Sequence, residues 1–336
     1  YQDLTRRDPT LQVYRGLPNR SVPVEFVGEN AAEVDEPLVG LSIAGPDGTY
    51  PWACTNTAGC TPLGVSWFGP TTTTATAHAL LMRLDPDTDL PMDFIAYDSP
   101  LIVLVPGAPG TVSLDLSADE IPSGNLLGTV TASDDSSREN RVFVRFPTGG
   151  SIELLSDAAG PNSFSYLVPN LPQGSITVAA AVTDAYGGFS LAHQDGLAAG
   201  SEPVSLTLPT PSSLTLPIGG ATGVDSTTSF RFVGSPESDA YLVVMSSYSY
   251  NTGLFIVTSR EELAIPEVLG GAFQLIPDDI IDWWVETHGD AGSVDELAAS
   301  GGFMDAFSAD AETPKGPRLG SGSYTASDYR RFTTAP

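Results

Sequence analysis

The feature that most constrains this chain is the rhythm of its apolar residues. They recur at every second position or gather in short runs, and each run stops at Gly, Pro, Asn or Asp. VPVEFVG, PLVGLSIAG, HALLMRL, NRVFVRFP, SITVAAAVTD, AYLVVMSS and IDWWVETH have the β-branched and aromatic content of strands. The 34 glycines and 28 prolines spread through 336 residues leave little room for long amphipathic helices. One short helix is expected in SVDELAAS, where Ser293 and Glu296 have capping-box spacing. No apolar run approaches the ~18 residues of a membrane-spanning helix, so no transmembrane segment is expected.

Two proline-rich stretches divide the chain, LVPGAPG at 104–110 and LPTPSSLTLP at 208–217, because proline lacks the donor that sheet pairing needs. The expected fold is all-β: three tandem β-sandwich domains. The divisions are an extended N-terminal arm at 1–20, then sandwiches at 21–107, 108–210 and 211–336. The last is interrupted by an insertion at 290–323 that carries the short helix. Arg6, Arg7 and Arg15 lie in the arm, in a chain with 41 acidic and 14 basic side chains and a net charge of −27. Such a field repels phosphate backbones and anionic lipid, which excludes nucleic acid as a partner. The arm reads either as a frayed terminus or as a strand lying on an acidic surface of its own or a neighbouring subunit.

Chemistry-bearing motifs are few. There is no G-x-S-x-G elbow, no phosphate-binding glycine loop and no H-E-x-x-H, and Lys315 is the one lysine in the chain. No motif requires a cofactor, and the chain is read as not an enzyme. Five residues separate Cys54 from Cys60 in WACTNTAGCTP; a disulfide closing that small loop is favoured in an oxidising compartment over two unpaired thiols. In LDPDTDLPMD, Asp85, Asp87 and Asp89 alternate with Asp93 beyond, a spacing that can turn carboxylates toward one hard cation such as calcium. Leu90 and Ala96 stand where an EF-hand loop has Gly and Glu, so a solvated turn is the competing reading. Trp52 and Trp67 flank the cysteine loop, and Trp283 and Trp284 must point to opposite faces of one strand, one of them outward or under the insertion. An exposed Trp52, Trp67 or Trp284 would offer a stacking platform for a glycan or a protein. His288, beside Glu286, is the most interesting of three histidines, read as an exposed strand-end residue or as part of a binding cleft.

Three segments resemble known families. GATGVDSTTSFRF, AYLVVMSS, GLFIVTS, LIPDDIIDWWVETH and SDYRRFTTAP are similar to fibronectin type III or immunoglobulin-like modules of secreted bacterial proteins. PLVGLSIAGPDGTYPWACTNTAGCTP resembles transthyretin-like repeats of the carboxypeptidase regulatory type. VFVRFPTGGSIELL and LPNLPQGSITVAAAVTDAYGGFSLA resemble sandwich repeats of outer-membrane lipoproteins and surface proteins of Gram-negative bacteria. The resemblance implies a secreted or surface lipoprotein, extracellular, on the outer cell surface or periplasmic, with a scaffold or binding role. The start at Tyr1 fits a mature product whose leader has been removed. The expected function is structural, adhesive or assembly, through self-association by the arm or contact with another surface protein. The alternative is a carbohydrate- or protein-binding module.

Overall fold

The computed structural model describes residues 20–336 except 30–34, 36, 46–47, 55–61, 68–71, 118–120, 133–137, 159, 172, 185–186, 250–252, 266–274, 290–292 and 296–320. Its regular secondary structure is almost entirely β-strand, arranged as tandem sandwiches. In the first unit, β1 (Arg20–Glu29), β4 (Leu63–Trp67) and β8 (Gly110–Asp115) make one sheet in the order β4-β1-β8. The facing sheet holds β2 (Pro37–Gly45), β3 (Gly48–Cys54), β5 (Thr73–Leu84), β6 (Pro91–Asp98) and β7 (Leu101–Leu104). Its order is β3-β2-β5-β6, and β7 takes the first part of the β5 edge that β6 leaves open. Phe26, Leu41, Ile43, Trp67, Leu81 and Leu104 fill the space between the two sheets.

The second unit pairs β9 (Ser123–Thr131), β12 (Ser163–Pro169) and β15 (Val204–Thr207) in one sheet. Opposite lie β10 (Arg138–Arg145), β11 (Ser151–Asp157), β13 (Ser175–Thr183) and β14 (Phe189–Leu197). In the third unit β16 (Ser213–Leu216), β18 (Phe230–Val233) and β21 (Glu262–Leu263) form the small sheet. The large one contains β17 (Ala221–Val224), β19 (Tyr241–Ser247), β20 (Gly253–Thr258), β22 (Ile280–His288), β23 (Ser321–Ala326) and β24 (Arg330–Thr334). Phe230, Trp283 and Phe332 meet edge to face at its centre, with ring centroids 5.2 and 5.5 Å from Phe230.

The units are not beads on a string. β14 pairs antiparallel with β23, from Phe189↔Ala326 to Gln194↔Ser321, and so joins the large sheets of the second and third units into one sheet of ten strands. The stretch at 208–217 is correspondingly packed. Leu208 enters the second core, Leu214 the third, and Ser190 Oγ donates a 2.7 Å hydrogen bond to the Pro209 carbonyl. The stretch at 104–110 also differs from the expected boundary. β8 runs parallel to β1 from Val24↔Gly110, and Val112, Leu114 and Leu116 fill the first core, so the prolines there mark a turn within a sandwich. Gly107, at φ +78°, makes that turn possible. Of the expected helical insertion at 290–323, Val294 and Asp295 make one helical step and Ser321–Ser323 belong to β23, while 290–292, 296–320 and the arm at 1–19 lie outside the described residues.

Strand β5 explains how the first unit is attached. Ala77, Ala79 and Leu81 point into the first core, while Leu80 and Met82 belong to the core of the second unit. Both faces are buried, and HALLMRL accordingly reads as a continuous apolar run rather than an alternation. The Phe146–Ser151 turn between β10 and β11 closes this junction. His78 stacks on Phe146 with ring centroids 3.9 Å apart and planes within 4°. Its Nδ1 lies 2.9 Å from the Tyr97 hydroxyl and its Nε2 3.1 Å from Thr148 Oγ1. The Ser151 amide donates to Ser42 Oγ at 3.1 Å. Gly40 lets β2 approach Ile152 so closely that any Cβ there would overlap the isoleucine side chain.

Burial depresses the His78 pKa below its ordinary 6.5, since the imidazolium loses water, and a hydrogen bond with the Gly149 backbone offsets this only in part. A lowered folded value means the unfolded chain binds more protons below pH 6.5. The contribution of this junction is therefore complete above pH 6.5 and falls as the pH drops from there toward the lowered value. Urea unfolding midpoints measured between about pH 7 and about pH 5 should fall more steeply for the native chain than for His78→Gln. Parallel pH profiles would show that the junction does not sense this proton.

Candidate functional site

Three of the side chains that the sequence singled out, Trp284, Glu286 and His288, lie on the face of the ten-stranded sheet turned away from the third core. On β22, Ile281, Trp283 and Val285 point into the third core, and the intervening Trp284, Glu286 and His288 point to the opposite face. There Leu242 and Val244 of β19, Val257 of β20 and Val294 of the insertion form a second, smaller apolar cluster, against which Trp284 packs. Trp283 is thus core and Trp284 lies partly buried beside the insertion, the division that their adjacent positions on a strand require.

Glu286 organises the polar part of this face. Its Oε1 accepts the Trp284 indole N–H at 2.7 Å, and the Tyr324 hydroxyl also bonds to its carboxylate. Burial and the adjacent Glu286 charge push the Tyr324 pKa well above its ordinary value, so the phenol stays protonated and donating. His288 is directly opposite Tyr324 in the strand register, its ring meeting the phenol edge to face at 5.1 Å. It is 8% exposed, which corrects the expectation of an exposed strand-end histidine. Its Nε2 lies 3.8 Å from Glu286 Oε2, too far for a hydrogen bond, and has no hydrogen-bond partner among the described residues. Among the described residues the Trp284 indole and the Tyr324 phenol both donate to the Glu286 carboxylate, and the second of these bonds fastens β22 to β23. Across β23, His193 of β14 sits opposite Gly322, where a Cβ would lie 2.7 Å from the ring. Further along, Asp195 accepts from Thr177 Oγ1 at 2.6 Å and faces Arg145 at 3.5 Å.

The other expected site residues are not gathered here. Asp85 to Leu90 form the tight turn between β5 and β6, with Asp85 Oδ1 accepting from the amides of Asp87 and Thr88 at 2.8 and 3.1 Å. Asp89 adopts φ +57°, and Asp93 lies 3.6 Å from Arg83 on the paired strand. The Asp85 and Asp93 carboxylates therefore serve the turn and the ladder separately. Among the described residues no three His, Cys, Asp or Glu side chains converge as they would around a metal ion. Trp67 is 1% exposed in the first core, which corrects its expected role as a stacking platform. The Trp52 side chain and the Cys54–Cys60 pairing lie outside what the structure describes. Sequence reasoning missed two participants. Tyr324 lies in GSGSYTAS, a segment with almost no apolar signal, and His78 lies in a run that reads as ordinary core.

No protein-family model matches the chain, and neither does any curated protein. Among solved structures the chain is similar to the Bacillus anthracis TIE protein, with 10% identity and a TM-score of 0.18 over 79% of this chain and 44% of that one. The chain spans less than half the length of that protein, and a likeness this distant carries no argument.

Glu286→Ala should cost about 1–3 kcal/mol in chemical denaturation, because it leaves the Trp284 and Tyr324 donors unpaired. Adding Tyr324→Phe to it should recover part of the loss, and a strictly additive double-mutant cycle would show that the carboxylate does not hold the phenol. Asp85→Ala should cost about 0.5–1.5 kcal/mol through its lost turn hydrogen bonds. The cost should be equal with and without a calcium chelator; a chelator effect in the native chain alone would restore the cation reading.

Proposed function

We propose that the chain is a non-catalytic structural protein of a bacterial cell surface, which holds a rigid array of immunoglobulin-like sandwiches outside the cytoplasm and associates with further copies of itself through its N-terminal arm. The observation that carries this reading is the continuity of the array. One junction is a shared sheet through β14 and β23, and the other is a double-sided strand, β5, locked by the His78–Phe146 stack. Linked domains that serve flexible tethering are joined by exposed, polar segments with few contacts. Here apolar side chains fill the junction at β5 and a main-chain ladder runs through the one at β14 and β23, which suits transmission of load or spacing of one end from the other. An adhesive or lipid-anchored form of the same array is compatible with this geometry.

A net charge of −27 supports the reading in a second way, since it keeps an exposed array soluble and opposes indiscriminate contact between copies. The glycan-binding alternative is less well supported. Trp67 is buried, and Trp284 is engaged by Glu286 and packed on the sheet face.

Two measurements test the proposal. Protease treatment of intact cells of the native host should release peptides of this chain, and complete protection until the envelope is broken would overturn the surface assignment. Light scattering of the full chain should report species larger than a monomer, shifting toward monomer when residues 1–19 are removed. Assembly that is indifferent to that deletion would sink the role of the arm.

A further inference from the structure

Two strands of the first unit end their sheets side by side without pairing. Among the described residues β7 pairs with β5 and β8 with β1, so each strand has one edge that no described strand continues. A cleft of about 370 Å³ lies between these strands. Buried residues from both sheets, Val24, Ile102, Leu104 and Val112, line its floor. Gly110 keeps its end open, since a Cβ there would stand 3.3 Å from Val24 Cγ2. On the outer side, β7 and the residue after it present Leu101, Val103 and Val105 at 70, 58 and 43% exposure, an alternating apolar row along a sheet edge. Exposed edges are ordinarily shielded by a charge, a proline, a bulge or a covering element. The segment Leu101–Val105 has neither a charge nor a proline.

From this cleft we infer an acceptor site for residues 1–19 of a second copy of the chain, added as a strand between β7 and β8. The inference rests on the self-association reading above and names the surface it requires. In the arm, Thr10-Leu11-Gln12-Val13-Tyr14 alternates, so that Leu11 and Val13 share the face that meets the apolar floor while Gln12 and Tyr14 share the other. The arm carries three arginines against Asp3 and Asp8 in a chain of net charge −27, so it is drawn to the remainder of a neighbour. Asp98 and Asp115 stand together at one end of the cleft, where the Asp115 amide donates to Asp98 Oδ2 at 2.9 Å. The register of β1 points to a neighbouring copy as the donor. β1 meets β8 only from Val24↔Gly110 onward, and Arg20 to Pro23 run on along β4 past the end of β8. Arg20 therefore lies beyond the cleft, and an arm of the same chain would have to cross the turn that joins β7 to β8 to enter it.

The test compares the native chain, a chain lacking residues 1–19, and the double variant Leu101→Lys/Val103→Lys by light scattering across concentration. Near-ultraviolet circular dichroism and melting temperature check that each is folded. The altered side chains are exposed, and Leu101→Thr/Val103→Thr serves if the lysine pair proves unfolded. Cleft and arm variants should each raise the concentration for half-assembly about tenfold or more, equivalent to about 1.4 kcal/mol. If arm deletion weakens assembly and the folded cleft variant assembles as the native chain does, the cleft is not the acceptor and the arm reading stands. A native chain that is monomeric throughout overturns both. A photocrosslinker in place of Val13, in a mixture of light and heavy isotope-labelled chains, should give products of mixed mass joined at residues 100–104 or 110–113. Products of single mass only would place the arm in its own cleft and overturn the inference.

Discussion

The structure depends on strands that are buried on both faces. β5 offers Ala77, Ala79 and Leu81 to one core and Leu80 and Met82 to another, and β19 does the same with Val243 and Met245 on one side and Leu242 and Val244 on the other. Such a strand cannot rely on alternation to fix its register, because a slip of one residue would still bury an apolar side chain on each face. Polar and small groups must supply the specificity. At β5 they are His78, which fits only where Tyr97 and Thr148 supply its hydrogen-bond partners, and Gly40 on the neighbouring strand, which admits Ile152 where no larger residue could stand. The histidine thus acts as a register pin in an apolar run, and its depressed pKa is the electrostatic counterpart of that burial.

The shared sheet has a similar logic. Separate sandwiches would leave β14 and the large sheet of the third unit with open edges, each a template for unwanted pairing. Pairing β14 with β23 removes both at once and costs no linker. β23 is poorly suited to hold this seam by apolar contact, since it reads Ser-Gly-Ser-Tyr-Thr-Ala. It is held by main-chain ladders on two sides and by side-chain hydrogen bonds, Thr325 with Thr287 at 2.6 Å beneath and Tyr324 with Glu286 above. The polar cluster that looked most like a functional site is therefore best understood as the fastening of the joined sheet.

How much of this could be read from the sequence follows from the range of each interaction. Alternation was legible in part: β9 buries Leu126 and Val130 and β10 buries Val142 and Val144, with the residues between them turned to the other face. The opposite fates of Trp283 and Trp284 followed from adjacency on a strand. Three things were not legible. The prolines near residue 106 look the same in a linker and in a turn, and only the pairing of β8 with β1 distinguishes them. The seam at β23 joins residues more than a hundred positions apart without an apolar signature, so no local pattern could announce it. The aspartates from Asp85 to Asp93 have the residue types of a cation site, but turn geometry turns one carboxylate onto backbone amides and cross-strand pairing gives another to Arg83. Residue type alone does not say which demand is met.

Charge sets the terms on which such an array can meet another copy of itself. At physiological salt, exposed charges are screened beyond about 8 Å, so a net charge of −27 imposes repulsion chiefly when surfaces come close. Broad apolar contact between acidic faces would have to bring many carboxylates within that distance. A single added strand does not: it engages a narrow edge through main-chain hydrogen bonds, which are directional and individually worth about 0.5–1.5 kcal/mol. It also presents few side chains, and in residues 1–19 the charged ones are mostly arginine. On the reading proposed above, strong acidity and association by strand addition are parts of one arrangement, in which repulsion opposes broad contact and leaves the one that the backbone of an open edge can make.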